Sequence, residues 1–213
     1  MDRLDHLLAA TESLLSRVDE VLATVGAPAG HDVWPELRRV RLLPGDAVRA
    51  VAALHPAAVA EAVPELRAQA RACAATADAL PLATDWSGAA AESYEAARRR
   101  TAEQLNAGPD SLSRRMTATA DLADAVADWM TRTRHALATC LAGVLTSAPA
   151  LTVGPAHLGA ATETSTQSGL PTPDESRAAA DIAARLLATI ASAYDQAEDL
   201  LTEAAPLKSP QPA

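Results

Sequence analysis

The 213-residue chain has room for one domain with, at most, a loosely attached helix, and its 27 Asp and Glu against 18 Lys and Arg leave a formal net charge of −9. That balance excludes nucleic-acid binding by nonspecific phosphate neutralisation. Nearly half of the residues are hydrophobic, but much of that fraction is Ala, which favours helix while burying little area. The expectation is therefore an all-α, elongated antiparallel helical bundle with a thin core of Leu, Val and Ala.

In the first segment Leu4, Leu7, Leu8, Leu14, Leu15, Val18, Val21, Leu22 and Val25 recur at three-four spacing with charges opposite, predicting an amphipathic helix over 2–24. Asp2 can cap its start, and Gly26 with Pro28 ends it. Asp2, Asp5, Glu12 and Asp19 interrupt any apolar run, so neither a signal peptide nor a transmembrane helix is expected here.

Two brief helices follow. One carries Val33, Trp34, Leu37 and Val40 with Pro35 in its first turn, and the other opens at Pro44-Gly45-Asp46 and carries Val48, Val51 and Leu54. Trp34 reads as a packing anchor. From Pro56 to Leu80 the pattern is helical again, with Pro64 expected to kink or split it and Pro81 to stop it. After the turn at Thr84–Ser87, a helix is predicted from Ser87 to Leu105, a breaker over Asn106–Pro109, and a longer helix from Asp110 to Leu145.

Residues 148–173 are rich in Pro, Gly, Thr and Ser and nearly uncharged, and read as a flexible linker. A last helix, capped by Asp174 and carrying Ile182, Leu186, Leu187, Ile190, Tyr194, Leu200 and Leu201, is expected over 174–205 and to pack back on the bundle of residues 1–147. The tail, 206–213, is expected to be disordered.

Catalytic or metal-binding groupings are not legible. His6, His31, His55, His135 and His157 are scattered, and neither Glu-x-x-His nor His-Glu-x-x-His occurs. A phosphate loop and a nucleophile elbow are likewise missing from the sequence. No cofactor, no metal and no enzymatic activity are expected, although a site assembled from distant residues would not show in the sequence. Cys73 and Cys140 read as small core residues, and their spacing leaves open whether they form a disulfide. The clusters Arg38-Arg39, Arg98-Arg99-Arg100 and Arg114-Arg115 point around their helices and read as solvated faces beside acids such as Glu95 and Glu103.

One stretch stands apart. Trp86-Ser87-Gly88 lies between two Ala-rich helical runs in a chain with three Trp, two Tyr and no Phe, and Ala90, Ala91 and Tyr94 follow in helical phase. Gly88 would permit close backbone approach, and Trp86 could lie across both helix ends. Far downstream, Tyr194 and Glu198 sit one helical turn apart on one face.

The run from Trp86 to Tyr94 resembles the turn and second-arm start of the WXG family, the helical-hairpin substrates of the bacterial type VII (ESX) secretion system, and their PPE relatives. The resemblance covers about 57–145. It implies a long hairpin turning at Trp86-Ser87-Gly88, pairing with a second helical hairpin, and secretion without a cleavable signal peptide after synthesis in the cytoplasm. It also implies a composite export signal, here Trp86 and Gly88 with Tyr194 and Glu198. The partner would be a WXG- or PE-like helical protein or the secretion machinery, as a homo- or heterodimer, unless the first and last helices supply the second hairpin in cis. The alternative is a cytoplasmic helical adaptor or chaperone that is never exported. Classical family members are about half this length, so the chain would be an enlarged relative or an associated component.

Overall fold

The computed structural model describes residues 2–153 and 170–204. It is all-α, with no strand among the described residues: α1 Arg3–Thr24, α2 Val33–Val40, α3 Pro44–Ala52, α4 Pro56–Ala60, α5 Val63–Asp78, α6 Ala89–Ala102, a π-helical turn Glu103–Ala107, α7 Leu112–Leu145, α8 Ala148–Val153 and α9 Pro173–Glu203. The chain divides into two compact units. Unit 1 holds the chain up to Leu54 together with Trp129–Glu198, and unit 2 holds His55–Asp128 and the chain after Glu198.

Unit 1 has a substantial apolar core. Leu15, Val18 and Val21 of α1, Val33 and Val48 of α2 and α3, Leu137 and Leu141 of α7, and Ile182, Leu186, Leu187 and Ile190 of α9 all lie inside it. The expectation of a thin core fails here, because the larger residues of five helices converge. The local signals agree with this packing. Asp2 accepts from the N–H groups of Leu4 and Asp5 at 2.9 and 3.1 Å while Asp5 accepts from the Asp2 N–H at 2.9 Å, a reciprocal cap on α1. Gly26, at φ +73°, ends α1. Trp34 is the anchor the pattern suggests, its indole donating to the Pro28 carbonyl at 3.0 Å. Asp19 of α1 accepts from the Gly45 N–H at 3.0 Å and so caps α3 from a distance.

Two boundaries differ from the sequence reading. The expected linker does not begin at Ala148, because Ala148–Val153 is helical and buries Ala150 and Val153. Pro149 is tolerated in its first turn, where the missing N–H has no partner to lose. Residues 154–169 of that linker and the predicted tail lie outside the described residues. The cap of α9 is Thr172, not Asp174. Its hydroxyl accepts from the Glu175 N–H at 3.2 Å and Glu175 accepts from the Thr172 N–H at 2.7 Å, with Pro173 opening the helix. From there α9 packs into the unit 1 core, tied to α1 by Arg17–Glu175 at 3.2 Å and by the Ser176 hydroxyl donating to the Gly26 carbonyl at 2.8 Å.

Unit 2 matches the thin-core expectation. Its buried residues are Val63, Ala70, Ala77, Ser111, Ala120 and Ala127, and α6 buries none. The buried alanines are seven apart on both α5 and α7, one apolar face on each helix that fills little volume. Arg67 of α5 crosses to Asp121 and Asp124 of α7 at 3.1 and 2.7 Å. Pro64 splits the predicted helix, as its missing N–H requires, into α4 and α5. The Asn106–Pro109 breaker closes a π-helical turn in which the Gly108 N–H reaches the Glu103 carbonyl at 2.8 Å. Cys73 in unit 2 and Cys140 in unit 1 are both free thiols and half-buried.

Candidate functional site

Residues 79–88 join α5 to α6 as a ten-residue non-helical segment; the helix expected to run from Pro56 to Leu80 ends at Asp78, and the one expected from Ser87 begins at Ala89. Gly88 ends it at φ +95°, ψ −173°, a conformation that L side chains rarely adopt, and its carbonyl accepts the first helical hydrogen bond of α6, from Glu92 at 3.1 Å. A Cβ there would meet no atom within 4 Å. Gly88 is therefore required by backbone conformation, and the close approach expected of it is not found.

Tyr94, in the second turn of α6, reaches back and donates its hydroxyl to the Pro81 carbonyl at 2.9 Å. Its ring meets Trp86 with centroids 5.5 Å apart and planes tilted by 52°. Tyr94 thus clasps both ends of the connecting segment. Trp86 is not buried across the helix ends, as its size suggested; it is 47% exposed and Leu82 is 61% exposed. The reason is the neighbouring helix: α6 offers Trp86 a tyrosine ring and otherwise small or charged residues. The next residue, Glu95, accepts from Arg98 and Arg99 one turn on, and the Arg98 guanidinium is the main cause holding its carboxyl down at about 2.

Tyr194 and Glu198 belong to unit 1, whereas Trp86, Gly88 and Tyr94 belong to unit 2. The apolar stripe of α9 stops at Ala193, its last buried residue, whose carbonyl accepts from the Trp129 indole at 2.9 Å. Tyr194 falls just off that stripe and is 40% exposed, so the alternative of plain core packing does not hold for it. Glu198 is exposed on the same flank. Between them Asp195 pairs with Arg39 of α2.

Sequence reasoning missed a buried charge with many hydrogen bonds. Arg134 of α7 is 7% exposed. It donates to Asp2 at 2.7 Å and Asp5 at 2.8 Å, and to the carbonyls of Val51, Ala52 and Leu54 at the end of α3. One cation thereby joins the start of α1 to the C-terminus of α3, where a positive charge also meets the favourable end of the helix dipole. The Arg134 hydrogen bond is the main cause holding the Asp2 carboxyl at about 2. A signal was present, since Arg134 falls seven residues after Ala127 and seven before Leu141, in the buried phase of α7.

His31 accepts the Val33 N–H on Nδ1 at 3.1 Å, which leaves its Nε2 proton for Asp181 at 3.1 Å. A groove between α7 and α9 is lined by His135, Cys140, Gly143, Arg185 and Thr189. The Thr139 and Thr189 hydroxyls there donate to carbonyls of their own helices, and Cys140 Sγ faces the Arg185 carbonyl at 3.7 Å. Among the described residues no group of three or more His, Cys, Asp or Glu could hold a metal ion, and no helix is long and apolar enough to cross a membrane. No family model, curated protein or solved structure matches this chain.

Proposed function

We propose that this chain is a non-enzymatic helical interaction protein of the WXG/PPE kind, a type VII secretion substrate or a component associated with such a system. It acts by displaying aromatic residues on helical scaffolds to a helical partner or to the secretion machinery. The observation that carries this reading is the Trp86–Gly88–Tyr94 arrangement. A glycine held at φ +95° opens the second helix, and Tyr94 braces a tryptophan that stays half in solvent. An indole left exposed and fixed in place is ready for contact at little further ordering cost. Tyr194 and Glu198, exposed one turn apart on α9, support the same reading as its second element.

The test is export from the native host with its secretion system active. A tagged chain appears in the medium, and a Trp86→Ala, Tyr194→Ala double variant stays inside while keeping its helical circular dichroism. If the unmodified chain stays wholly inside the cell, the secretion reading fails. If the double variant is exported at the normal level, secretion stands but the composite signal is wrong.

A second reading, an adaptor or chaperone retained in the cytoplasm, draws on unit 1. There α1 and α9 share one core, so the first and last helices already satisfy each other within the chain. Appearance of the tagged chain in the medium refutes this reading, whereas sedimentation tests completion in cis under either one: a monomer supports it and an obligate heterodimer refutes it.

A further inference from the structure

The groove between α7 and α9 lies wholly in unit 1 and holds about 770 Å³. The two helices run antiparallel along it, since Trp129 meets Ala193 and, further along α7, Cys140 meets Arg185. Its α7 wall is made of small residues, with Ala136, Cys140 and Gly143 at helical spacing. Polar atoms among them are already satisfied: Thr139 and Thr189 bond carbonyls of their own helices, and Cys140 bonds the Arg185 carbonyl. Gly143 has no task within the chain. It sits inside a regular helix, where glycine is less favourable than alanine, and a Cβ there would meet no atom within 4 Å. Neither backbone conformation nor packing among the described residues requires it, whereas a further backbone packed close against α7 would.

Charge selects the occupant. Positions 129–147 carry Arg132, Arg134 and His135 and no Asp or Glu, in a chain of net charge −9. Arg134 is turned inward to Asp2 and Asp5. Arg132, one turn before Ala136, and Arg185, in the opposite wall, have no ion-pair partner among the described residues. Asp181, one turn from Arg185 on α9, is hydrogen-bonded to His31. A second copy docked through this same face would bring like charges together. We propose that the groove receives a helix of a partner protein, one with small residues on its contacting side and Asp or Glu on its flanks, which meet Arg132 and Arg185. The inference deepens the reading under Proposed function by giving the helical partner a place and a charge, and rests on it only in taking the chain for an interaction protein.

The test uses the isotope-labelled full-length chain and two synthetic helical peptides of equal Ala and Leu content, one bearing Glu along its flanks and one bearing Lys. The Glu peptide is expected to shift the amide resonances of 135–144 and 185–189, and to bind roughly tenfold or more tightly than the Lys peptide, with the difference shrinking as salt is raised. Arg132→Glu combined with Arg185→Glu reverses the preference. Gly143→Ala raises the melting temperature by about 2–4 °C, because the helix gains a better residue in open space, yet it weakens the Glu peptide, and Gly143→Leu weakens it roughly tenfold or more. A merely structural role for Gly143 moves the two readouts together. Equal binding of both peptides, or Glu-peptide binding untouched by Gly143→Leu, overturns the proposal. The same shifts on concentrating the chain alone, with sedimentation as a dimer, assign the groove to a second copy and overturn it as well. Export of the chain without binding of the Glu peptide removes the groove and leaves the secretion reading standing; retention inside the cell beside Glu-peptide binding does the reverse.

Discussion

Replacing Arg134 with methionine keeps the apolar stem that fills the space on α7 and deletes the charge. The carbonyls of Val51, Ala52 and Leu54 then lose a charged donor, and Asp2 and Asp5 lose their common cation. The carboxylates are 50% and 30% exposed and regain water, so their share of the loss is discounted for solvent screening. The carbonyls close the end of α3 beside a 7%-exposed side chain and recover less. The net cost is about 3 kcal/mol, the low end of the range for breaking a buried ion pair from one side. At a denaturant slope of about 2 kcal/mol per molar urea, the midpoint falls by roughly 1.5 M. The assay is equilibrium urea unfolding followed by tryptophan fluorescence in a Trp86→Leu background, which leaves Trp34 and Trp129 as reporters of unit 1. Asp2→Asn in the Arg134→Met background should cost less than it does alone, because the partner is already gone. A loss below about 1 kcal/mol for Arg134→Met would refute the reasoning, since it would mean that water replaces the guanidinium at the end of α3.

Four further outcomes follow from the same geometry. Gly88→Ala is expected to cost about 1–3 kcal/mol through backbone strain alone, as the space around it is open, and to loosen the Trp86–Tyr94 contact, seen as a changed Trp86 emission spectrum and a lower melting temperature. Gly45→Ala would push a Cβ into the Asp19 carboxylate and break the cap on α3, costing about 1–2 kcal/mol in thermal or urea unfolding. Thr133→Val removes a buried hydroxyl that has no hydrogen-bond partner and is expected to raise stability by about 1 kcal/mol, measured in the same way. On acidification, Asp2, held at about 2, contributes stability that is complete above the ordinary carboxylate value near 3.8 and is lost as pH falls through 2; the urea midpoint should drop across that window, and less so in Asp2→Asn. Asp19 acts in the opposite sense, because burial raises it and protonation relieves the strain on its charged form.

Much of the fold was legible because its signals are local. The three-four spacing of Leu and Val in α1, the prolines that open α3 and split α4 from α5, and the acidic cap at Asp2 act within a few residues of themselves, so a one-dimensional reading suffices. The Thr172-Pro173-Asp174-Glu175 cap is of the same kind and could have been read in full. The short helix α8 could not, because only burial of Ala150 and Val153 in the unit 1 core makes six residues of Pro- and Thr-containing chain worth ordering.

The sequence by itself determined that this protein is helical, where its helices break, and which few aromatics stand out; periodicity and backbone chemistry settle these at short range. Only the tertiary structure decided what those aromatics do. Trp86 is exposed because α6 presents Tyr94 and little else to cover it, and Tyr194 is exposed because the α9 core contact ends one residue earlier. Division of the helices between a Leu- and Ile-filled unit and an Ala-lined one, and the choice of Arg134, Arg39 and Asp19 as ties between segments dozens of residues apart, depend on which faces meet. Those meetings lower the free energy only once the chain has closed over itself, and no short-range pattern encodes them.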